Sequence, residues 1–298
     1  MALALLEAAL AVGLWSASPL LVQDALRHLT PAQIGGARYA LAFLALSPLL
    51  IRRVSRLRCL PAGLWLRLAA MGLLCYALGN TLLFWGLETL SATTVAFLLN
   101  GIPVLTIGLG ARLLGERPNR WQALGIVLVL GGALAFFGGG LALDQPLRLA
   151  GSLLGVAALA GFGVMNRQIA RTRELDVAAL AALPLLFGSL PLLLLDPPPL
   201  EALARAAPTL AWLALVNSAL AYLLWTHALR RLQAFEISVV GNLMPIGTAL
   251  LAGALHAERL PAGAWFGMLL ALAGVVLVGL AARPIAPPVT PEPHPAGS

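Results

Sequence analysis

Residues 87–103 read LETLSATTVAFLLNGIP and residues 229–245 read LRRLQAFEISVVGNLMP. Set one above the other, they place Asn100-Gly101-Ile102-Pro103 over Asn242-Leu243-Met244-Pro245, 142 positions apart. The same offset, without a gap, carries Leu87 to Leu229, Leu90 to Leu232, Glu116 to Glu258, Gly125 to Gly267 and Gly132 to Gly274. Self-similarity at one fixed spacing marks a tandem duplication. The chain is therefore two related halves, and what one half does in a membrane or in water the other must do as well.

Composition decides between those solvents. The 298 residues are 60% hydrophobic and only 10% charged, where a soluble domain carries roughly 25% charged residues. That much polar surface cannot cover a water-facing fold, so a soluble globular protein is excluded. The 30 glycines and 21 prolines fall largely inside apolar runs, where membrane helices tolerate them. Cutting at the charge and proline clusters leaves ten apolar segments: 3–22, 33–51, 68–87, 93–112, 120–138, 150–168, 177–195, 209–228, 236–255 and 262–281. Each is of the length that crosses about 30 Å of hydrocarbon. The fold class expected is an all-α membrane protein of ten transmembrane helices. Residues 1–140 form the first repeat, 148–282 the second, and 283–298, with six prolines, a disordered tail. The first segment carries Glu7 and no basic residue ahead of it, so it lacks the basic start of a cleaved secretion signal and is kept as a span.

Five spans per repeat is an odd number, so the second repeat enters the membrane from the side opposite to the first. Two such bundles, related by a pseudo-two-fold axis in the membrane plane, can open a shared cavity to either side in turn. The basic residues orient this arrangement. All nineteen are arginine. With a cytoplasmic N-terminus, fourteen fall on inner loops or the tail and four (Arg27, Arg148, Arg205 and Arg259) on outer loops, with Arg38 inside a span. By the positive-inside rule both termini are cytoplasmic. The charge of +7 is thus topological, and nucleic acid is not an expected partner. Helical spans with this asymmetry belong in an inner membrane, and the Ala-, Leu- and Arg-heavy composition points to a bacterial one.

The repeats resemble the EamA repeats of the drug/metabolite transporter superfamily. The resemblance covers nearly all of Leu3 to Ala281 and rests on several blocks in order. They are Gly13-Leu14-Trp15-Ser16, Arg38-Tyr39, the two Asn-x-x-Pro blocks with Gly115-Glu116-Arg117 and Ala257-Glu258-Arg259 after them, and Ala221-Tyr222-Leu223-Leu224-Trp225 leading to Ala228-Leu229-Arg230-Arg231-Leu232. It implies ten helices in two inverted halves around a central cavity lined by helices 1, 3, 4, 6, 8 and 9. It implies export or exchange of small metabolites, with amino-acid exporters of the YddG type among the candidates. Ala257 departs from the pattern, since the first copy has Gly115 there.

Polar groups within hydrocarbon are costly unless they pair or face a wet cavity, so they mark the candidate site. By helical rise Asn100 lies roughly 10 Å from the outer surface and Asn242 roughly 9 Å from the inner one. Each precedes a proline, Pro103 or Pro245, that removes a backbone donor and favours a kink. Either the Asn amides face substrate at that kink or they satisfy the broken backbone. The offset pairs Asn80 with Tyr222, and Trp225 shares a helix face with Tyr222. A phenol and an indole suit a ligand with an apolar body and a polar end. Trp15, Ser16 and Asn166 complete the ring, while Trp85 and His227, near span ends, fit an interfacial belt better. Arg38 either snorkels to the interface or binds a substrate carboxylate.

Glu7, Glu88 and Glu236 lie near span ends, and Glu116 and Glu258 fit loop-anchoring contacts. The recurrent glycines at 125, 132, 267 and 274 allow close helix approach, within the bundle or across a dimer. Cys59 and Cys75 do not form a disulfide framework, and no spacing marks a metal or cofactor site. There is no His-Glu-x-x-His and no Gly-x-Ser-x-Gly, which leaves an intramembrane enzyme with little support beside a transporter. The expected function is export or exchange of amino acids or similar amphipathic metabolites by a monomeric secondary transporter, with a lipid flippase or a channel as alternatives.

Overall fold

The computed structural model describes residues 2–51, 57, 59–102, 104–105, 119–137, 144–172, 175–232, 240–256 and 259–280. Among the described residues every regular element is helical, and ten helices carry the fold. They are α1 (Ala2–Ala25), α2 (Pro31–Ile51), α3 (Ala62–Gly86), α4 (Ala92–Leu98), α5 (Arg120–Phe137), α6 (Pro146–Thr172), α7 (Val177–Leu195), α8 (Leu200–Leu229), α9 (Met244–His256) and α10 (Ala262–Leu280). Helices α1, α2, α3, α6, α7 and α8 are each long and apolar enough to cross a bilayer. Outer faces of the bundle carry side chains such as Leu194 and Leu195 of α7 and Leu134 of α5, which are 81%, 84% and 77% exposed. In water that surface would drive aggregation; against lipid tails it is matched. The chain is a multi-pass membrane protein.

Three helices start four or more residues earlier than the apolar segments. Helix α3 begins at Ala62 and α8 at Leu200, directly after Pro61 and Pro199, whose backbones are extended with φ of −65° and −62°. Helix α6 begins at Pro146. The arginines that seemed to end these spans lie on helical faces instead: exposed Arg205 pairs with Glu201 one turn earlier at 2.6 Å, and Arg67 is exposed. A helix satisfies its own backbone wherever it lies, so hydrocarbon thickness does not limit its length.

Contacts between helix ends establish direction. The Gln23 amide at the end of α1 donates to the Leu90 carbonyl (3.1 Å) beyond the end of α3, so α1 and α3 run parallel. Asp24, near the same end of α1, accepts from Thr209 in the first half of α8 (2.9 Å), and Glu7 near the start of α1 meets His227 in the last turn of α8 (2.7 Å). Helix α8 therefore runs against α1 and against α3. Since α8 is the counterpart of α3 at the 142-residue offset, equivalent helices point in opposite directions. The repeats are inverted.

The outer layers close by near-contact of backbones. A Cβ on Gly267 would lie 2.5 Å from the Gly132 carbonyl oxygen and the Phe136 amide nitrogen, and one on Gly274 2.5 Å from the Gly125 oxygen. The recurrent glycines thus pack α5 along α10 inside one chain. Helix α7 packs on α2 differently, with the side chains of Leu192 and Leu193 seated on Gly35 and Gly36.

Two irregularities recur at the repeat offset. Helix α4 breaks into a turn at Leu99–Asn100, and a turn at Asn242–Leu243 precedes α9. Both turns lie within the Asn-x-x-Pro blocks or directly beside them, and Pro103 itself lies outside the described residues. Helices α3 and α8 each widen into a π-helical turn, at Leu73–Gly79 and Leu215–Leu220, beginning 142 positions apart. The widened turns are held by side chains reaching back five residues: Asn80 Nδ2 to the Cys75 carbonyl (2.8 Å) and Ser218 Oγ to that of Leu213 (2.9 Å). Such bulges are frequent at functional sites.

Candidate functional site

Trp15 on α1 packs against Tyr222 and Trp225 on α8, with ring centroids 5.3 and 5.2 Å away. Tyr222 stands edge-on to Tyr76 of α3 at 5.3 Å, and Tyr76 in turn packs on Tyr39 of α2 (4.6 Å) and Phe162 of α6 (5.9 Å). Six rings from five helices and both repeats form one connected cluster. The turn before α9 adds a wall, because a Cβ on Gly241 would lie 3.4 Å from the Trp225 ring.

The π-turn of α8 joins this cluster to a buried polar hub. Widening the turn frees the Asn217 carbonyl, which accepts from Trp15 Nε1 (2.9 Å) and from Arg38 Nη2 (3.4 Å). The Asn217 side chain donates back to the Leu14 carbonyl (2.7 Å), so residues 14 and 15 are gripped from both sides. Arg38 also donates from Nε to Ser218 Oγ (2.8 Å) and from Nη1 to Ser18 Oγ (3.0 Å). It is 3% exposed. The snorkelling reading is therefore wrong: Arg38 is on the inward face of α2, where hydroxyls of α1 and α8 and a freed carbonyl meet its donors.

The other expected site residues separate into two groups. Asn80 caps its own widened turn and reaches the Cys75 sulfur at 3.5 Å, beside the Tyr76–Tyr222 pair. Ser16 instead joins α1 to the ninth helix: its hydroxyl reaches the Met244 carbonyl (3.3 Å), and Thr248 Oγ1 donates to the Ser16 carbonyl (2.8 Å). Asn100, Asn166 and Asn242 are buried on α4's turn, α6 and the turn before α9. The amide oxygens of Asn100 and Asn166 have no hydrogen-bond partner among the described residues. Pro245 occupies the second position of α9. Glu116, Glu236, Glu258 and the 283–298 tail lie outside the described residues.

Trp85 and His227 are not simply interfacial. Trp85 lies under the Arg148 guanidinium (4.1 Å to its centroid), which bridges to Glu88 at 2.6 Å. His227 Nδ1 is 2.7 Å from Glu7 Oε2. Sequence reasoning passed over Tyr76, Phe162, Cys75, Asn217, Ser218 and Ser18. The repeat offset held a signal for four of them, since it pairs Cys75 with Asn217 and Tyr76 with Ser218.

The profile of the EamA-like transporter family matches residues 2–138 and again 149–280, one match per repeat. The chain belongs to the EamA-like transporter family. This EamA-like protein is 24% identical to a transporter from Chlamydia trachomatis serovar L2, described as an S-adenosylmethionine/S-adenosylhomocysteine transporter, over 86% of this chain and 82% of the relative. Its fold matches a crystal structure of another protein with a TM-score of 0.66 at 18% identity, covering 93% of this chain and 96% of that one. At that identity the likeness concerns the fold. Family and relative both point to transport of a small molecule rather than to catalysis.

Proposed function

We propose that this protein exchanges or exports small metabolites bearing an α-amino-acid group and an apolar or aromatic body, across a bacterial inner membrane with both termini in the cytoplasm. The observation that carries the reading is the Trp15–Tyr222–Trp225 cluster, built from both repeats beside the paired π-turns. Flat rings with a phenol and an indole favour a flat apolar moiety. Amino acids fit this description, and so do the two substrates in the relative's description, each an amino acid joined to an adenine nucleoside. The substrate site comprises Trp15, Asn80, Tyr222 and Trp225, with Ser16, Asn100, Asn166 and Asn242 around it and the bends at Pro103 and Pro245 as moving parts. Repeats 1–140 and 148–282 are the moving bodies.

Counterflow in proteoliposomes tests this. Wild-type protein accumulates labelled aromatic amino acid or S-adenosylhomocysteine against unlabelled cargo, which a channel would not do. Tyr222→Ala and Trp225→Ala each lower uptake at least about tenfold, the cost of one aromatic contact with its burial. Wild-type rates in folded variants would count against the site.

Two polar clasps support alternating access. Glu7–His227 ties α1 to α8 at the face carrying the N-terminus, and Glu88–Arg148 ties α3 to α6. Each joins one repeat to the other, and α1–α8 and α6–α3 are equivalent pairs under the duplication. Glu7 precedes Gln23 by sixteen residues of α1, roughly 24 Å of rise, so the clasps lie at opposite faces. Buried Cys75 lies between them. In a Cys59→Ser background, Glu88→Gln raises labelling of Cys75 by an impermeant maleimide from the far face about twofold to fivefold, and Glu7→Gln does so from the N-terminal face. These are the shifts expected when one partly exposed polar pair is lost. Labelling that is unchanged, or raised equally from both faces, overturns the gating role.

A further inference from the structure

Among the described residues Arg38 is the one charged side chain less than a tenth exposed. All its hydrogen-bond partners are neutral: two hydroxyls and a backbone carbonyl. No carboxylate of the described residues lies within ion-pair distance of it. A guanidinium has five N–H donors, so two remain after these three bonds. Removing a full charge from water is expensive, and neutral acceptors recover only part of that cost. The bond to the Asn217 carbonyl, at 3.4 Å, is the longest of the three and the cheapest to exchange.

Two more unspent groups belong to residues that contact Arg38. The Tyr39 ring is 5.3 Å from the guanidinium carbon, and its hydroxyl is buried with no partner among the described residues. The amide oxygen of Asn217 is buried and unpartnered as well, although its amide nitrogen and backbone carbonyl are engaged. A cation with two free donors, a free hydroxyl and a free amide oxygen thus belong to three touching residues, one of which, Asn217, also accepts from Trp15 Nε1 through its backbone carbonyl. We propose that Arg38 is the receptor for the substrate's α-carboxylate, with Tyr39 donating to the same group and the Asn217 amide oxygen accepting from the ammonium. This rests on the substrate reading above and sharpens it: the transporter recognises the amino-acid head by its negative charge, and the aromatic cluster takes the body.

The test compares acids with their neutral amides. Proteoliposomes take up labelled phenylalanine and, separately, labelled S-adenosylhomocysteine, each in competition with the unlabelled acid or its carboxamide. The acid competes about 30-fold better than the amide, the range of a charge-assisted pair over a neutral one. Arg38→Gln weakens the acid to the level of the amide and leaves the amide within about threefold, while Arg38→Lys retains part of the preference. Equal competition by acid and amide in the wild type, or a preference that survives Arg38→Gln, overturns the Arg38 assignment and leaves transport standing. Absence of uptake of either cargo overturns the substrate reading itself. If Arg38→Gln does not fold, the wild-type comparison of acid and amide decides alone.

Discussion

Trp15→Ala reduces transport at least about 100-fold, the largest functional effect expected of any single substitution. Three contacts of two kinds converge on this side chain: two ring contacts to α8 and the hydrogen bond from the indole N–H to the Asn217 carbonyl. Trp15 is half-buried, so truncating it costs somewhat less packing than a fully buried tryptophan, about 3–5 kcal/mol, and it also removes a hydrogen bond from the Asn217 carbonyl. Trp15→Phe separates the two contributions. It keeps a ring against Tyr222 and Trp225 but leaves the Asn217 carbonyl with only the longer bond to Arg38, a loss of one hydrogen bond worth about 0.5–1.5 kcal/mol. Uptake by Trp15→Phe is therefore intermediate, down about tenfold. Equal rates for Trp15→Phe and Trp15→Ala would mean that the indole N–H, not the ring, is what the site needs. Unimpaired Trp15→Ala removes the aromatic cluster from the pathway.

Gly267→Leu gives the largest loss of stability. The added Cβ falls 2.5 Å from a carbonyl oxygen of α5 and from the Phe136 amide nitrogen. Neither belongs to a side chain that could rotate away, so α5 and α10 must separate. Overpacking usually costs about 1–3 kcal/mol, and a collision between two backbones lies at or beyond the upper end. At about 2–4 °C per kcal/mol for a chain of this size, melting in detergent falls by about 10 °C or the monodisperse protein is lost. Gly263→Ala is the control, because its Cβ would meet only Ala135 O at 3.7 Å, and its melting stays within about 2 °C. A Gly267→Leu protein as stable as the wild type would refute the tight α5–α10 seam.

The site was only partly legible before folding. Tyr222 and Trp225 stood out because aromatic residues at helical spacing beside a repeated Asn-x-x-Pro block are conspicuous, and Trp15 because it sits in a recognisable motif. Tyr76, Phe162 and Asn217 carried equal weight in the fold but nothing in their immediate surroundings distinguished them. In soluble helices an apolar stripe identifies the inner face. Helices such as α1 and α7 are apolar all round, so no stripe says which way a ring points. The π-turns were equally silent, since the side chains that hold them, Asn80 and Ser218, look like any polar residue in a span. Sequence alone left Arg38 either snorkelling to the interface or facing inward, and it turned inward, where two serine hydroxyls and the Asn217 carbonyl accept from it.

What the amino-acid order determined unaided is the membrane class, the ten-span duplication and its inversion. Apolar runs of about 20 residues cross a bilayer as helices, and an odd count in each half leaves no other topology. What tertiary structure alone decided is which faces of those helices meet. Lipid is as apolar as leucine, so contact between spans is governed by shape at Gly132 and Gly267 and by polar partners at Arg38 and Asn217. Those preferences become visible only when helices from both halves are brought side by side.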